Sequence, residues 1–263
     1  MKSFVMRLSL VVAASLSLPV ATPASAADTA PPAVKTPPAS ALWTFEATPY
    51  LWAAGITGTV GPGAPVPPVN VDVGFDDVLR HLKMAFMGTF EARYNNQIGL
   101  MADIAYLSVK VGATGPAGFV NAELADKTFF GTFAGAYRAL DSGPVWVDVL
   151  AGARVWSLST SVTVTAPGPV TISSSTSKAW ADAIVGLRAQ ADLTREIFAQ
   201  VYADAGAGGA QSDWQVAGYL GYRFSRSTTL FAGYRYLSID YRRSGYVFDV
   251  DLSGPVLGVT FKF

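Results

Sequence analysis

Along residues 213–225, DWQVAGYLGYRFS, the side chains fall into two files. Trp214, Val216, Gly218, Leu220, Tyr222 and Phe224 occupy one, and Asp213, Gln215, Ala217, Tyr219, Gly221, Arg223 and Ser225 the other. A period of two puts successive side chains on opposite faces of a β-strand. The same division recurs at 145–156, where Val145, Val147, Val149, Ala151, Ala153 and Val155 oppose Trp146, Asp148, Leu150, Gly152, Arg154 and Trp156. It recurs again at 181–192, and at the C-terminus, DLSGPVLGVTFKF (251–263), which stops on a phenylalanine in mid-alternation. The chain is therefore read as all-β, from strands with one greasy and one mixed face.

Hydrophobic residues make up 51% of the 263 and charged residues 14%. Beyond the N-terminus, however, no uninterrupted apolar run reaches the length of a membrane-spanning helix. Alternating strands reconcile the two facts, because a transmembrane barrel spreads its apolar band over many short segments. A soluble sandwich also alternates, but three features speak against it. Aromatic residues on the greasy face (Phe45, Tyr94, Tyr137, Tyr222, Phe224, Phe261, Phe263) cluster beside the short turns, as in a membrane-interface girdle. The mixed face interleaves small residues with charges, as a crowded barrel interior does. The chain also ends on an outward-facing aromatic.

The N-terminus reads as a secretory signal peptide over 1–26: Lys2 and Arg7 precede an apolar run of about 13 residues, followed by Ala24-Ser25-Ala26. Residues 27–42 form a Pro/Ala-rich linker without periodicity, and the barrel is assigned to 43–263. Tight breaks at 95–97, 141–143, 194–196 and 225–227 alternate with looser ones at 58–69, 114–120, 165–169, 208–209 and 242–246. An up-and-down antiparallel barrel with one short-turn rim has this pattern. Ten strands are expected, with eight as the alternative: 43–57, 84–94, 98–112, 123–139, 145–164, 171–193, 197–208, 213–225, 228–241 and 248–263. An even count puts both termini at the short-turn rim, facing the periplasm.

Function classes narrow quickly. The chain has no cysteine, so disulfide and metal-thiolate chemistry are excluded. One histidine and no cysteine supply no metal-ligand cluster. The 19 Lys and Arg balance 19 Asp and Glu, leaving no basic patch for nucleic acid. The glycine-rich stretch at 205–210 lacks dinucleotide-loop spacing and reads as a tight hairpin, and SSSTS (173–177) as the exposed top of a long strand. No cofactor is expected.

Charges on the inward files make up the candidate site: Glu46, Glu91, Arg93, Asp103, Arg138, Asp148, Arg154, Asp182, Arg188, Asp204, Asp213, Arg223, Arg235 and Lys262. They are read either as a selectivity lining for ions or small solutes or as an ion-pair network filling a narrow barrel. A recurring Gly-x-Arg, ending at Arg154, Arg188, Arg223 and Arg235, is read as leaving each guanidinium room to reach across. A barrel enzyme, protease or lipid-modifying, is the alternative, resting on His81 in VGFDDVLRHLK. There Asp77 and His81 would pair at i and i+4 of a helical turn. Without a recognisable second acidic or serine motif, a short packing element with Phe75, Val78, Leu79 and Leu82 is favoured, and no enzyme activity is expected.

The terminal Leu257, Val259, Phe261 and Phe263 resemble the C-terminal strand signature of bacterial outer-membrane β-barrels, which the barrel-assembly machinery reads as an insertion signal. WTFEATPYLWAAGITGTVG, FEARYNNQIGLMADIAYLSV, AWADAIVGLR and LFAGYRYLSIDY likewise resemble small proteobacterial outer-membrane proteins of the porin superfamily. That resemblance implies a barrel in the outer membrane of a Gram-negative cell; the chain is expected to be a monomer with periplasmic termini and, from the width of a ten-stranded barrel, a porin-like or structural role with at most a narrow pore. Its implied partners are outer-membrane lipid and lipopolysaccharide, periplasmic chaperones and the assembly machinery.

Overall fold

The structure is a computed structural model that describes residues 42–61, 68–114, 121–165 and 171–263. The expected signal peptide, the linker up to residue 41, and residues 62–67, 115–120 and 166–170 lie outside them. Twelve strands and one helix form: β1 (Trp43–Trp52), β2 (Gly55–Gly61), β3 (Val69–Val73), α1 (Phe75–His81), β4 (Leu82–Tyr94), β5 (Ile98–Thr114), β6 (Asn121–Asp141), β7 (Val145–Thr165), β8 (Thr171–Asp192), β9 (Ile197–Gly208), β10 (Ser212–Arg223), β11 (Thr228–Arg243) and β12 (Tyr246–Lys262). Neighbours pair antiparallel in chain order from β4 to β12, and β1 closes the ring by pairing with both β4 and β12.

The twelve segments make ten staves. β1 and β2 are one stave, since both pair along β12, interrupted at Ala53–Ala54. Pro255 lies opposite that gap. Its carbonyl accepts from the Ala53 N–H at 2.9 Å, but proline has no N–H to return, so the ladder breaks there. β3 and β4 are the second stave, and α1 fills the interval between them.

Two of the breaks placed on the looser rim are tight, the one after β9 in agreement with the hairpin read at 205–210. Ser244 and Gly245 both have positive φ, 54° and 79°, forming a two-residue hairpin, and only residues 209–211 separate β9 from β10. Among the described residues the far rim therefore gains its height from strand length. β6, β7 and β8 run 21, 21 and 22 residues, against 12 each for β9 and β10. At the short-turn rim Asn95 and Asn96 adopt positive φ (50° and 54°), which asparagine tolerates better than most residues, giving the turn that the sequence places there.

Outward side chains form an apolar belt. Phe45, Tyr94, Tyr137, Tyr222, Phe224, Phe261 and Phe263 are all exposed near the short-turn rim, with Phe86, Phe133, Val185, Leu187, Val216, Leu220 and Leu257 above them. On the long side the belt ends along one register row. Ser108 pairs with Lys127, Lys127 with Ser159 and Ser159 with Ser177, and beyond this row the outward file turns polar. From Tyr137 to Lys127 is about 34 Å of strand at ~3.4 Å per residue. A ~40° tilt reduces this to about 26 Å, the height of the apolar band of a membrane barrel. Among the described residues no helix is long and apolar enough to cross a membrane.

Candidate functional site

The barrel interior has three layers. Nearest the short-turn rim is a vestibule of about 370 Å³, which continues into a narrower cavity of about 150 Å³; Glu46, Glu91, Arg188, Phe198, Gln200, Thr229 and Thr260 line both. The vestibule wall holds a five-membered ion network. Asp148, fully buried, accepts from Arg93 at 2.6 Å, Arg138 at 2.5 Å and Arg188 at 2.9 Å. Glu91 takes a second bond from Arg93 and from Arg188, each at 2.7 Å. The Trp146 ring lies 4.2 Å from the Arg138 guanidinium and 5.4 Å from that of Arg188. At the mouth Arg223 pairs with Asp192 at 2.6 Å, while Lys262 and Glu46 stand 3.6 Å apart and half exposed.

The second layer closes the passage with charges that satisfy one another. Arg235 donates to Asp103 at 2.9 Å, to Gln215 at 2.6 Å and to the Tyr50 hydroxyl at 3.0 Å, and Tyr50 donates to Asp103 at 2.6 Å. Arg154 bridges Asp204, at 2.6 Å, and Asp213, and its Nε donates to Thr132 at 2.9 Å. Asp182 accepts from the Trp180 indole at 3.0 Å and from the Ala210 N–H at 2.7 Å. Arg154 and Arg235 are held this deep by carboxylates and Asp182 by hydrogen bonds, because desolvating an unsatisfied ion costs several kcal/mol.

The third layer is aromatic. Phe130 stacks on Trp156 at 4.8 Å between centroids, Trp156 on Trp180 at 5.7 Å and Trp180 on Tyr241 at 4.0 Å. Trp52 meets Phe130 edge-on and its ring lies 4.6 Å from the Arg235 guanidinium, joining this layer to the one below. Trp156 is 1% exposed, Phe130 2% and Arg154 0%. The passage that begins at the vestibule is therefore filled above Arg235.

All fourteen inward charges thus lie on the interior side, but they do different things. Glu91, Arg93, Arg138, Asp148 and Arg188 form one cluster, Arg154, Asp204 and Asp213 a second, and Asp103 with Arg235 a third. Asp182 anchors the β9–β10 turn, and Glu46, Arg223 and Lys262 ring the mouth. The Gly-x-Arg glycines serve another purpose than the one read from sequence. A Cβ at Gly221 would lie 2.1 Å from the Phe198 ring, and one at Gly152 2.0 Å from the Phe133 carbonyl. These glycines admit a neighbouring ring or strand, and at Gly221 the admitted Phe198 ring lies 4.8 Å from the Arg223 guanidinium.

The aromatic layer was not singled out in the sequence. Its signal was present in parity: Trp156 and Trp180 lie on the files of Arg154 and Asp182, so their rings had to point inward. The outward file of β12 carries Leu257, Val259, Phe261 and Phe263, with Leu257 64% and Phe263 76% exposed.

The helical turn read around His81 forms as α1, but the side-chain pairing is different. Arg80 takes the carboxylates of Asp76 and Asp77, at 2.6 and 2.8 Å, and the imidazole Nδ1 of His81 bonds the backbone carbonyl of Asp77 at 2.9 Å. Val78 is the buried residue of the helix, and Leu79 is exposed.

No protein-family model matches the chain, and no curated protein matches it in sequence. Solved structures do. The outer membrane protease OmpT from Escherichia coli aligns over 84% of this chain and 97% of its own, with a TM-score of 0.56 at 8% identity. Ail, the attachment invasion locus protein of Yersinia pestis, aligns over 84% and 98% at 14% identity, with a TM-score of 0.33. The translocator domain of the autotransporter NalP from Neisseria meningitidis aligns over 86% and 90% at 11% identity, with a TM-score of 0.36. The OmpT likeness extends to the fold: this chain is a closed, ten-stave antiparallel β-barrel of the architecture found in outer-membrane proteins.

Proposed function

We propose that the protein is a monomeric outer-membrane barrel of a Gram-negative cell that does not conduct, an envelope component with periplasmic termini and the long β6–β8 wall at the cell surface. The carrying observation is the filled interior, in which Arg154, Trp156, Asp148, Asp182 and Asp213 are all buried to 1% exposure or less. The belt from the short-turn aromatics to the Ser108–Lys127–Ser159–Ser177 row is the surface that lipid and lipopolysaccharide solvate. Recordings in planar lipid bilayers test the closed interior. The protein should insert, shift its gel mobility on boiling as folded barrels do, and show no discrete current steps. Reproducible unit steps would replace this reading with a narrow pore.

The exposed Phe263 has no packing role to match its size, which fits an address read during assembly. Deleting it should lower the heat-modifiable fraction in cells while leaving refolding from urea into detergent micelles unchanged. Equal loss in both settings would make it a stability residue.

A further inference from the structure

The vestibule carries more cationic capacity than its carboxylates use. Six guanidinium or ammonium groups line it, against the carboxylates of Glu46 and Glu91. Asp148 and Asp192 at its margins absorb Arg93, Arg138, Arg188 and Arg223, which leaves Arg226 and Lys262. Arg226, at the tip of the turn between β10 and β11, makes no hydrogen bond or ion pair with any described residue. The Lys262 ammonium is 3.6 Å from Glu46, and half of its side chain is exposed. The two are neighbours, since the Lys262 N–H donates to the Ser227 carbonyl at 2.9 Å. Ser225 and Ser227 flank Arg226 and face the same cavity. Below them Arg188 keeps its Nε–H buried without an acceptor.

We propose that this dead-end vestibule binds a multivalent oxyanion of the phosphate class. Arg226, Lys262 and the hydroxyls of Ser225 and Ser227 receive it at the mouth, with Arg188 beneath. A guanidinium matches two phosphate oxygens at once, and a concave site with low-dielectric walls concentrates the field of its cations on such an ion. The inference rests on the closed interior only in that the vestibule ends blind. Calorimetry in detergent is insensitive to conduction, so it and the bilayer recordings fail separately.

The test is isothermal titration of inorganic pyrophosphate into the folded protein in a zwitterionic detergent. Saturable binding is expected, about tenfold or more weaker in the Arg226→Gln/Lys262→Gln variant, which corresponds to about 1.4 kcal/mol or more. A Lys127→Gln/Arg243→Gln variant, which removes the same charge at the far rim, should bind as the parent does. Gel mobility before and after boiling confirms that each variant is folded. Competition by a short-chain phosphatidylglycerol assigns the site to a lipid headgroup, and lack of competition to a free oxyanion. Absence of saturable heat, or equal weakening in both variants, overturns the proposal.

Discussion

Asp148→Asn is expected to cost the barrel about 3–5 kcal/mol, because the carboxylate it removes is the shared acceptor of three buried guanidinium groups. Asparagine keeps the shape and one carbonyl oxygen, so the loss reports charge and not volume. Arg93 and Arg188 keep Glu91, but Arg138 keeps only Asp141 at 3.6 Å. Urea titration of the protein in lipid vesicles, followed by tryptophan emission, measures the change. Combining the variant with Arg138→Gln should restore part of the loss, because the cation left unpaired is then gone. A change within about 0.5 kcal/mol would show that the cluster is hydrated and not structural.

The second large effect is expected at the aromatic layer. Trp156→Ala removes a ring that contacts Phe130 on one side and Trp180 on the other, and frees Asp213 of its indole donor at 3.0 Å. Loss of so large a buried side chain costs about 3–5 kcal/mol. Adding Phe130→Ala should cost less than its own single substitution, since the two rings already share a contact. The functional readout is separate. The double variant should show discrete current steps in planar bilayers while the parent shows none, because the filled segment above Arg235 then loses two of its rings. Silence in a double variant that still shifts on boiling would place the seal in the ion layer alone.

Much of this was legible in the sequence because a two-residue period is rigid. Once Tyr222 and Phe224 are outward, Asp213 and Arg223 must be inward, and the same parity places Asp148, Arg154 and Arg188. The parts that were not legible depend on contacts between strands distant in sequence. The aromatic layer is assembled from β1, β6, β7, β8, β11 and β12, and nothing in any one strand marks its ring as part of a stack. The glycines misled for the same reason: Gly221 and Phe198 are cross-strand partners 23 positions apart. At His81 the helical spacing was right, but Arg80 is a stronger partner for the nearby carboxylates than a single imidazole. The break at 242–246 was read as loose, whereas the hairpin at Ser244–Gly245 is as tight as those of the near rim.

The seam between β1 and β12 bears on the timing of folding. Thr48 and Thr260 meet across it at 2.9 Å although 212 positions separate them. No native contact on that line can form until the last stave has emerged, and chain-closure entropy is greatest for such distant partners. Until then the first stave presents an unpaired hydrogen-bonding edge to any other chain nearby. Productive maturation of this protein is therefore a race between ring closure and edge capture, and its outcome is decided at the first and last staves.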